Sequence, residues 1–481
     1  MSRSLPAHPD LEHVKKQAKS LLRQYQDGAP AAAAAFREFG GKQVSDSVPK
    51  LSDAQHVIAR EYGFLNWPGL RNHVLSLSAA DGPSALEAAV RLDDAQRVRD
   101  VLARFPSLGA HLDDALPSGD FGATALITAA NLHNRDMIDV LLDAGADVNQ
   151  RSHWWAGGFS ALDSAPQLDQ HLVSRGATVT AYDAARFGLL DRLRELVTED
   201  PSVVATRFGD GQTALHVATS VEIAEYLIEN GAQIDSLDVD HESTPAQYLL
   251  GDHQDVVRFL ISRGCKTDIL MAAAVGDMEL VRRILDANPQ AICTTVSPHD
   301  FPMQDSRAGG TIYIWSLGKS KTPHAIARQF GHEDVVALLL ENTPAPLLLA
   351  LACEAGDDAG VARLTVANPH IRDQLNGELL RWLPAAAELN NARGVNLMLD
   401  AGWDPTTASD VGVTSLHWAA FHGNTEMLRA LLDHGADVHA TDRKFGGTAL
   451  GWARHGEQNS RYRETGNYPA VFDAISAADG P

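Results

Sequence analysis

Thr-Ser-Leu-His-Trp-Ala-Ala-Phe-His-Gly-Asn-Thr-Glu-Met-Leu-Arg-Ala-Leu-Leu-Asp-His-Gly-Ala-Asp, residues 414–437, decides how the rest of the chain is read. Thr414 suits the cap of a helix, where its hydroxyl accepts from backbone N–H groups that have no partner inside the helix. The Ala419-Ala420 pair is small enough to let a second helix approach closely. A Gly-Asn turn follows, then the apolar run through Leu428, Leu431 and Leu432. Gly435 comes next, where a helix commonly ends in a left-handed residue that costs glycine little. Neither helix hides its apolar face alone, so such a unit must stack on copies of itself.

The copies are present. Thr-small-Leu recurs at Thr124-Ala125-Leu126, Thr213-Ala214-Leu215-His216 and Thr448-Ala449-Leu450, with variants at Thr244-Pro245-Ala246 and Thr322-Pro323-His324. The closing phrase recurs in Val140-Leu141-Leu142-Asp143-Ala144-Gly145-Ala146-Asp147. These residues resemble ankyrin repeats, whose unit is about 33 residues. A second version of the unit, Ala184 to Pro201, aligns without gaps on Ala272 to Pro289, and here the second helix runs into a proline that cannot continue it. Starts fall near Ser84, Thr124, Ser160, Ala181, Thr213, Thr244, Asp268, Thr322, Pro346, Arg381, Thr414 and Thr448, about twelve units over residues 81–481. The last unit, with Gly456-Glu457-Gln458-Asn459-Ser460-Arg461-Tyr462, is atypical and expected to end the array with a polar face.

Residues 1–80 do not fit the repeat. Asp10 to Gln26, Leu51 to Tyr62 and Trp67 to Leu77 read as amphipathic helices, with Asp10 and Ser52 as caps. This stretch resembles the helical segment that precedes ankyrin arrays in many bacterial proteins. The expected fold is all-α: an ankyrin-repeat solenoid of helix-turn-helix units with β-hairpin finger loops, capped by a small N-terminal helical domain.

Composition sets limits. At roughly 150 residues per domain, 481 residues would suggest about three domains; the repeats replace that reading. Hydrophobic content of 44% excludes a mostly disordered chain. With 62 Asp+Glu against 40 Lys+Arg, the formal net charge of −22 argues against nucleic acid and against anionic membrane surfaces. The strongest apolar run, Leu347 to Cys353, is far short of the roughly 20 residues that span a bilayer. Cys265, Cys293 and Cys353 lie too far apart for a paired zinc spacing or a disulfide framework, so a reducing, cytoplasmic location is expected.

Chemistry is harder to find. No His-Glu-x-x-His occurs, so neither a metal nor a cofactor is expected. His216 and His417 hold the fourth position of the repeat phrase and His324 the third; for all three the resemblance implies hydrogen bonds to neighbouring repeats. Gly318-Lys319-Ser320 resembles the end of a phosphate loop but has Tyr313 where the first glycine should stand. Lys15, Lys16, Lys19 and Arg23 form a basic stripe on the first helix, which reads as a solvated face.

Two segments stand out. Residues 291–321 replace a short finger with a long insertion, expected to be an extended hairpin turning at Ala308-Gly309-Gly310. It carries Tyr313, Trp315 and the acid–base candidates His299, Asp300 and Asp305. The finger Arg151-Ser152-His153-Trp154-Trp155-Ala156-Gly157-Gly158-Phe159 sets two indoles side by side in a loop. Large rigid rings dominate binding hot spots, so Arg151, His153, Trp154, Trp155, Phe159, Tyr313, Trp315 and Trp403 are the candidate binding residues. The resemblance implies a scaffold that recognises a protein partner through its concave face and finger loops, and the acidic balance suggests that the partner's surface is basic. The alternative is an enzyme acting on a small molecule by acid–base chemistry in a pocket between the insertion and that face.

Overall fold

The computed structural model describes residues 5, 11–39, 49–78, 81–164, 169–375 and 377–479. Asp10, the expected first cap, lies outside them. The chain divides into two compact units: Met1–Lys266 with Phe301–Ser316, and Thr267–Asp300 with Leu317–Pro481.

The first unit opens with four helices, Leu11–Gln26, Pro30–Phe39, Leu51–Glu61 and Trp67–Ser78. They close around Val14, Ala18, Phe36, Val57, Ile58 and Leu70, with Tyr25 set edge-on to Phe36 at 4.9 Å. The second of them, rich in alanine, was not singled out in the sequence. The third starts one residue before the expected cap: Lys50 is its N-cap, its N–H donating to the Asp53 carboxylate at 2.6 Å, and Ser52 sits in the first turn. The fourth lies against Gly82–Arg91, the first helix of the repeats.

From there helices come in pairs, among them Ala125–Asn131 with Arg135–Asp143 and Pro245–Leu249 with Gln254–Ser262. In Ala161–Ser164 and Ala214–Val217 the first helix shrinks to a single 3-10 turn. The second unit continues the pattern from Ile269–Val275 to Ala449–Asn459 and Tyr468–Asp479. First helices stack on first helices, as Trp382–Glu388, Ser415–His422 and Ala449–Asn459 do. Leu428 and Leu431 are fully buried, and each such side chain contributes roughly 1.5–3 kcal/mol by leaving water.

The repeat phrase explains the joints. Thr124, Thr322 and Thr448 hydroxyls accept from the N–H three residues on. Gly145 and Gly435 end their helices at φ +104° and +93°, where a β-carbon would be strained. At Thr213 and Thr414 the histidine of the phrase closes the cap instead. His216 Nδ1 accepts from Thr213 N–H at 3.0 Å, so Nε2 carries the proton and donates to Ser243 O at 3.2 Å. His417 does the same with Thr414 N–H at 3.1 Å and Gly447 O at 3.0 Å. One ring therefore closes its own helix and ties it to the loop of the next repeat. Where the second helix meets proline, it passes into a 3-10 turn, Pro201–Ala205 or Pro289–Cys293.

The fingers are held by isolated bridges, Phe208 with Gln212, Ala408 with Thr414, and Gly158 with Gly209, with no extended strand among the described residues. The insertion is not the expected hairpin. Gly309 N–H donates to Asp240 O at 2.9 Å and Ile312 N–H to Ser243 Oγ at 3.1 Å. The loop 238–244 thus takes the backbone donors that a hairpin would have paired internally. Tyr313–Ser316 instead forms one helical turn. No described helix is long and apolar enough to cross a membrane.

Candidate functional site

The finger 151–159 nests against 207–212. Gly209 N–H donates to Gly158 O at 3.0 Å, and a β-carbon on Gly157 would come within 2.7 Å of Gly209 O. That close approach brings the rings together. Arg151 lies 4.7 Å over the Phe208 ring and donates to Gly158 O at 3.0 Å. Trp154 stands edge-on to Phe121 at 4.9 Å and 6.0 Å from Trp155, with its indole N–H on Asp210 Oδ1 at 3.1 Å. Phe159 meets the same Phe121 at 5.7 Å. Arg307, from the insertion, covers the Trp155 ring at 4.2 Å, a cation–π contact worth roughly 0.5–1 kcal/mol where solvent reaches it. His153 contacts Asp113 O at 2.9 Å through Nε2.

The other expected anchors divide. Tyr313 is wholly buried under Phe301, and Trp403 is 2% exposed with its N–H on Leu379 O at 2.8 Å. Neither ring is presented to a partner. Trp315 is 70% exposed, and Phe121, which the sequence reading passed over, is 55% exposed at a positive φ of 54°.

Beside the rings, three side chains from two fingers converge: Asp210, Asp240 and His241. Burial pushes the Asp210 carboxyl up to about 6. Sequence reasoning missed them. The local signal was Asp238-Val239-Asp240-His241, with Asp210 thirty residues upstream in the preceding finger.

The second unit holds a cleft of about 360 Å³ lined by Cys293, His299, Asp300, Glu354, Arg381 and Trp382, among others. His299 and Asp300 thus share one wall. Asp305 belongs to the first unit, where Arg307 takes up its carboxylate and holds it down at about 2. Asp300 Oδ2 accepts from Thr295 N–H and Oγ1, both at 2.8 Å, and from Ser297 Oγ at 3.0 Å, as a loop cap does. The His299 ring faces Arg381 at 3.4 Å and Glu378 at 3.9 Å. Burial raises both Cys293 and Glu354, which keeps the thiol from being a ready nucleophile and favours a protonated Glu354. The phosphate-loop fragment does not present a free cation, because Lys319 is paired with Glu388 at 2.6 Å.

Comparison with known proteins locates the repeats independently. The ankyrin repeats (3 copies) family model matches residues 181–270, 347–442 and 383–460, and the single ankyrin repeat model matches 121–153. A putative ankyrin repeat-containing protein of Treponema pallidum is 30% identical over 135 residues, 26% of this chain and 44% of that protein. The E3 ubiquitin-protein ligase KEG of Arabidopsis thaliana is 26% identical over 268 residues, 50% of this chain and 16% of that one. Palmitoyltransferase Hip14 of Drosophila melanogaster is 36% identical over 59 residues, 12% and 9% of the two chains. The matched stretches span less than half of each of these relatives.

Proposed function

The chain is an ankyrin repeat-containing protein, and from that premise we propose that it is a scaffold whose finger loops and concave face hold a protein partner. The observation that carries this reading is the pair of large rings left in water on short helical turns of the first unit, Phe121 at 55% and Trp315 at 70% exposed. Rigid rings are efficient anchors because they gain contact area at little entropic cost. Trp154 and Phe159, with Trp155 against Trp154, form a firm floor beneath Phe121. The net charge of −22 favours a partner with a basic surface, drawn in by long-range attraction. The 30% identical Treponema protein supports a bacterial source, and the three widely spaced cysteines support a cytoplasmic location.

The test is copurification from the source cell, followed by titration with the recombinant partner. Replacing Phe121 or Trp315 with Ser is expected to weaken binding about tenfold or more each, the range of a hot-spot ring. A partner that binds both variants as it binds the wild type would show that these rings are not the anchors.

The cleft of the second unit supports a second reading, an enzyme acting on a small molecule by acid–base chemistry. Its specific support is the His299 ring held between Arg381 and Glu378. A polar acid docking there is expected to raise the melting temperature of the wild type and not of Arg381→Ala. If no member of a carboxylate and phosphate library shifts the melt, this reading falls.

A further inference from the structure

We propose that Asp210, Asp240 and His241 form a binding site for a first-row divalent transition-metal cation. The argument begins with the imidazole. His241 Nδ1 lies 2.7 Å from Gly310 O. A carbonyl can only accept, so this nitrogen carries a proton, and in the neutral ring Nε2 presents a lone pair. That lone pair faces Asp240 Oδ2 at 3.6 Å and Asp210 Oδ2 at 3.9 Å. Both distances are too long for a hydrogen bond, so even a doubly protonated ring would not bridge them.

Three acceptor atoms therefore turn toward one point with no described donor between them. The setting makes that arrangement costly: the side chains of His241, Asp240 and Asp210 are only 10%, 9% and 17% exposed. Buried like charges and lone pairs repel unless a cation joins them. All three ligand atoms lie within 4.8 Å of one another, as donors around a single ion do.

The atoms that do not face the common point are each tied down. Trp154 Nε1–H holds Asp210 Oδ1 at 3.1 Å. Gly309 N–H holds Asp240 Oδ1 at 3.2 Å, and Gly310 O holds the ring of His241. Metal ligands are oriented in this manner, the free face of each being fixed by a bond on its other atom. Gly309 adds to the fit, because a β-carbon there would press to 3.2 Å from Asp240 Oδ2 and 3.3 Å from His241 Cε1. One imidazole with two carboxylates suits zinc, cobalt or manganese better than magnesium, which prefers oxygen alone.

The experiment strips the full-length protein with chelator, dialyses it against Zn²⁺, and counts bound metal. Titration with Co²⁺ in parallel reads the coordination sphere through its d–d absorption. We expect one equivalent per chain, lost in Asp240→Asn and His241→Gln. Trp154→Phe leaves every ligand in place and frees Asp210 Oδ1; it is expected to weaken binding roughly 10–100-fold. Should either ligand variant fail to fold, the Co²⁺ spectrum of the wild type and its weakening in Trp154→Phe decide alone. Stoichiometric uptake that is unchanged in all three variants would place the metal on other histidines and overturn the proposal. So would the absence of any d–d absorption in the wild type.

Discussion

Gly456→Ala is expected to destabilise the second unit by on the order of 3 kcal/mol, although alanine is the better helix former. Gly456 lies in the helix Ala449–Asn459, whose backbone crosses that of Ser415–His422 with no room for a side chain. A β-carbon there would sit 2.1 Å from Phe421 O, 2.7 Å from its carbonyl carbon and 2.8 Å from its Cα. These are main-chain atoms, so a rotamer change cannot relieve the clash and the helices must part. Parting them would also disturb the Trp418–Trp452 contact at 5.0 Å and the bond from Tyr468 Oη–H to Phe421 O at 2.9 Å. Gly451 in the same helix is the internal control, since nothing lies within 4 Å of its would-be β-carbon. Gly451→Ala is expected to stabilise by about 1 kcal/mol. Urea melts of the two variants should move in opposite directions; shifts of the same sign would refute the account.

The second large effect is acid lability of the second unit. His324 is fully buried and burial lowers its pKa to about 4, with the nearby Arg328 charge acting in the same direction. His417 and His422 are lowered for the same first reason. A histidine depressed in the folded state binds its proton more readily when unfolded, where its pKa is about 6.5. Its contribution is therefore intact above pH 6.5 and is lost as pH falls from there toward 4. For His324 alone the loss reaches about 2 kcal/mol at pH 5 and about 3 at pH 4. Buried Glu354 is raised and works against this trend, one group against three. In the first unit His216 is likewise lowered to about 4, but buried Asp183 is raised and opposes it. Hydrogen exchange at pH 7, 6 and 5 is expected to show residues 317–479 losing protection before 81–266. His324→Gln should flatten the pH dependence. Protection lost first in the earlier repeats would count against this assignment.

The repeats could be read from sequence because each joint is local. Thr, the Ala pair and Gly act within one turn of themselves, and the His of Thr213-Ala214-Leu215-His216 reaches only to the next loop. What could not be read depends on backbone meeting backbone across many residues. Residues 291–321 looked like a hairpin because Ala308-Gly309-Gly310 is a good turn. The N–H groups of Gly309 and Ile312 instead satisfy Asp240 and Ser243, some seventy positions away. Trp403 looked like an anchor because it follows a helix end, yet its indole is spent on Leu379 O. Asp300 looked like an acid or base, and its Oδ2 instead caps Thr295 and Ser297. Asp210 was overlooked because nothing near it in sequence announces His241. Pattern reading thus found the scaffold, while the groups with chemical interest were assigned by where the fingers and the insertion happen to meet.

The membership of Phe301–Ser316 in the first unit has a consequence for synthesis. A chain leaves the ribosome in order, at roughly 5–20 residues per second. Residues 1–266 emerge first, yet the piece that buries Tyr313 among them follows only after the 34 residues 267–300, which belong to the second unit. For a few seconds the nascent first unit stands without its final segment, its Asp240 carbonyl and Ser243 hydroxyl still turned to water. Completion of the earlier half is timed by translation of the later one.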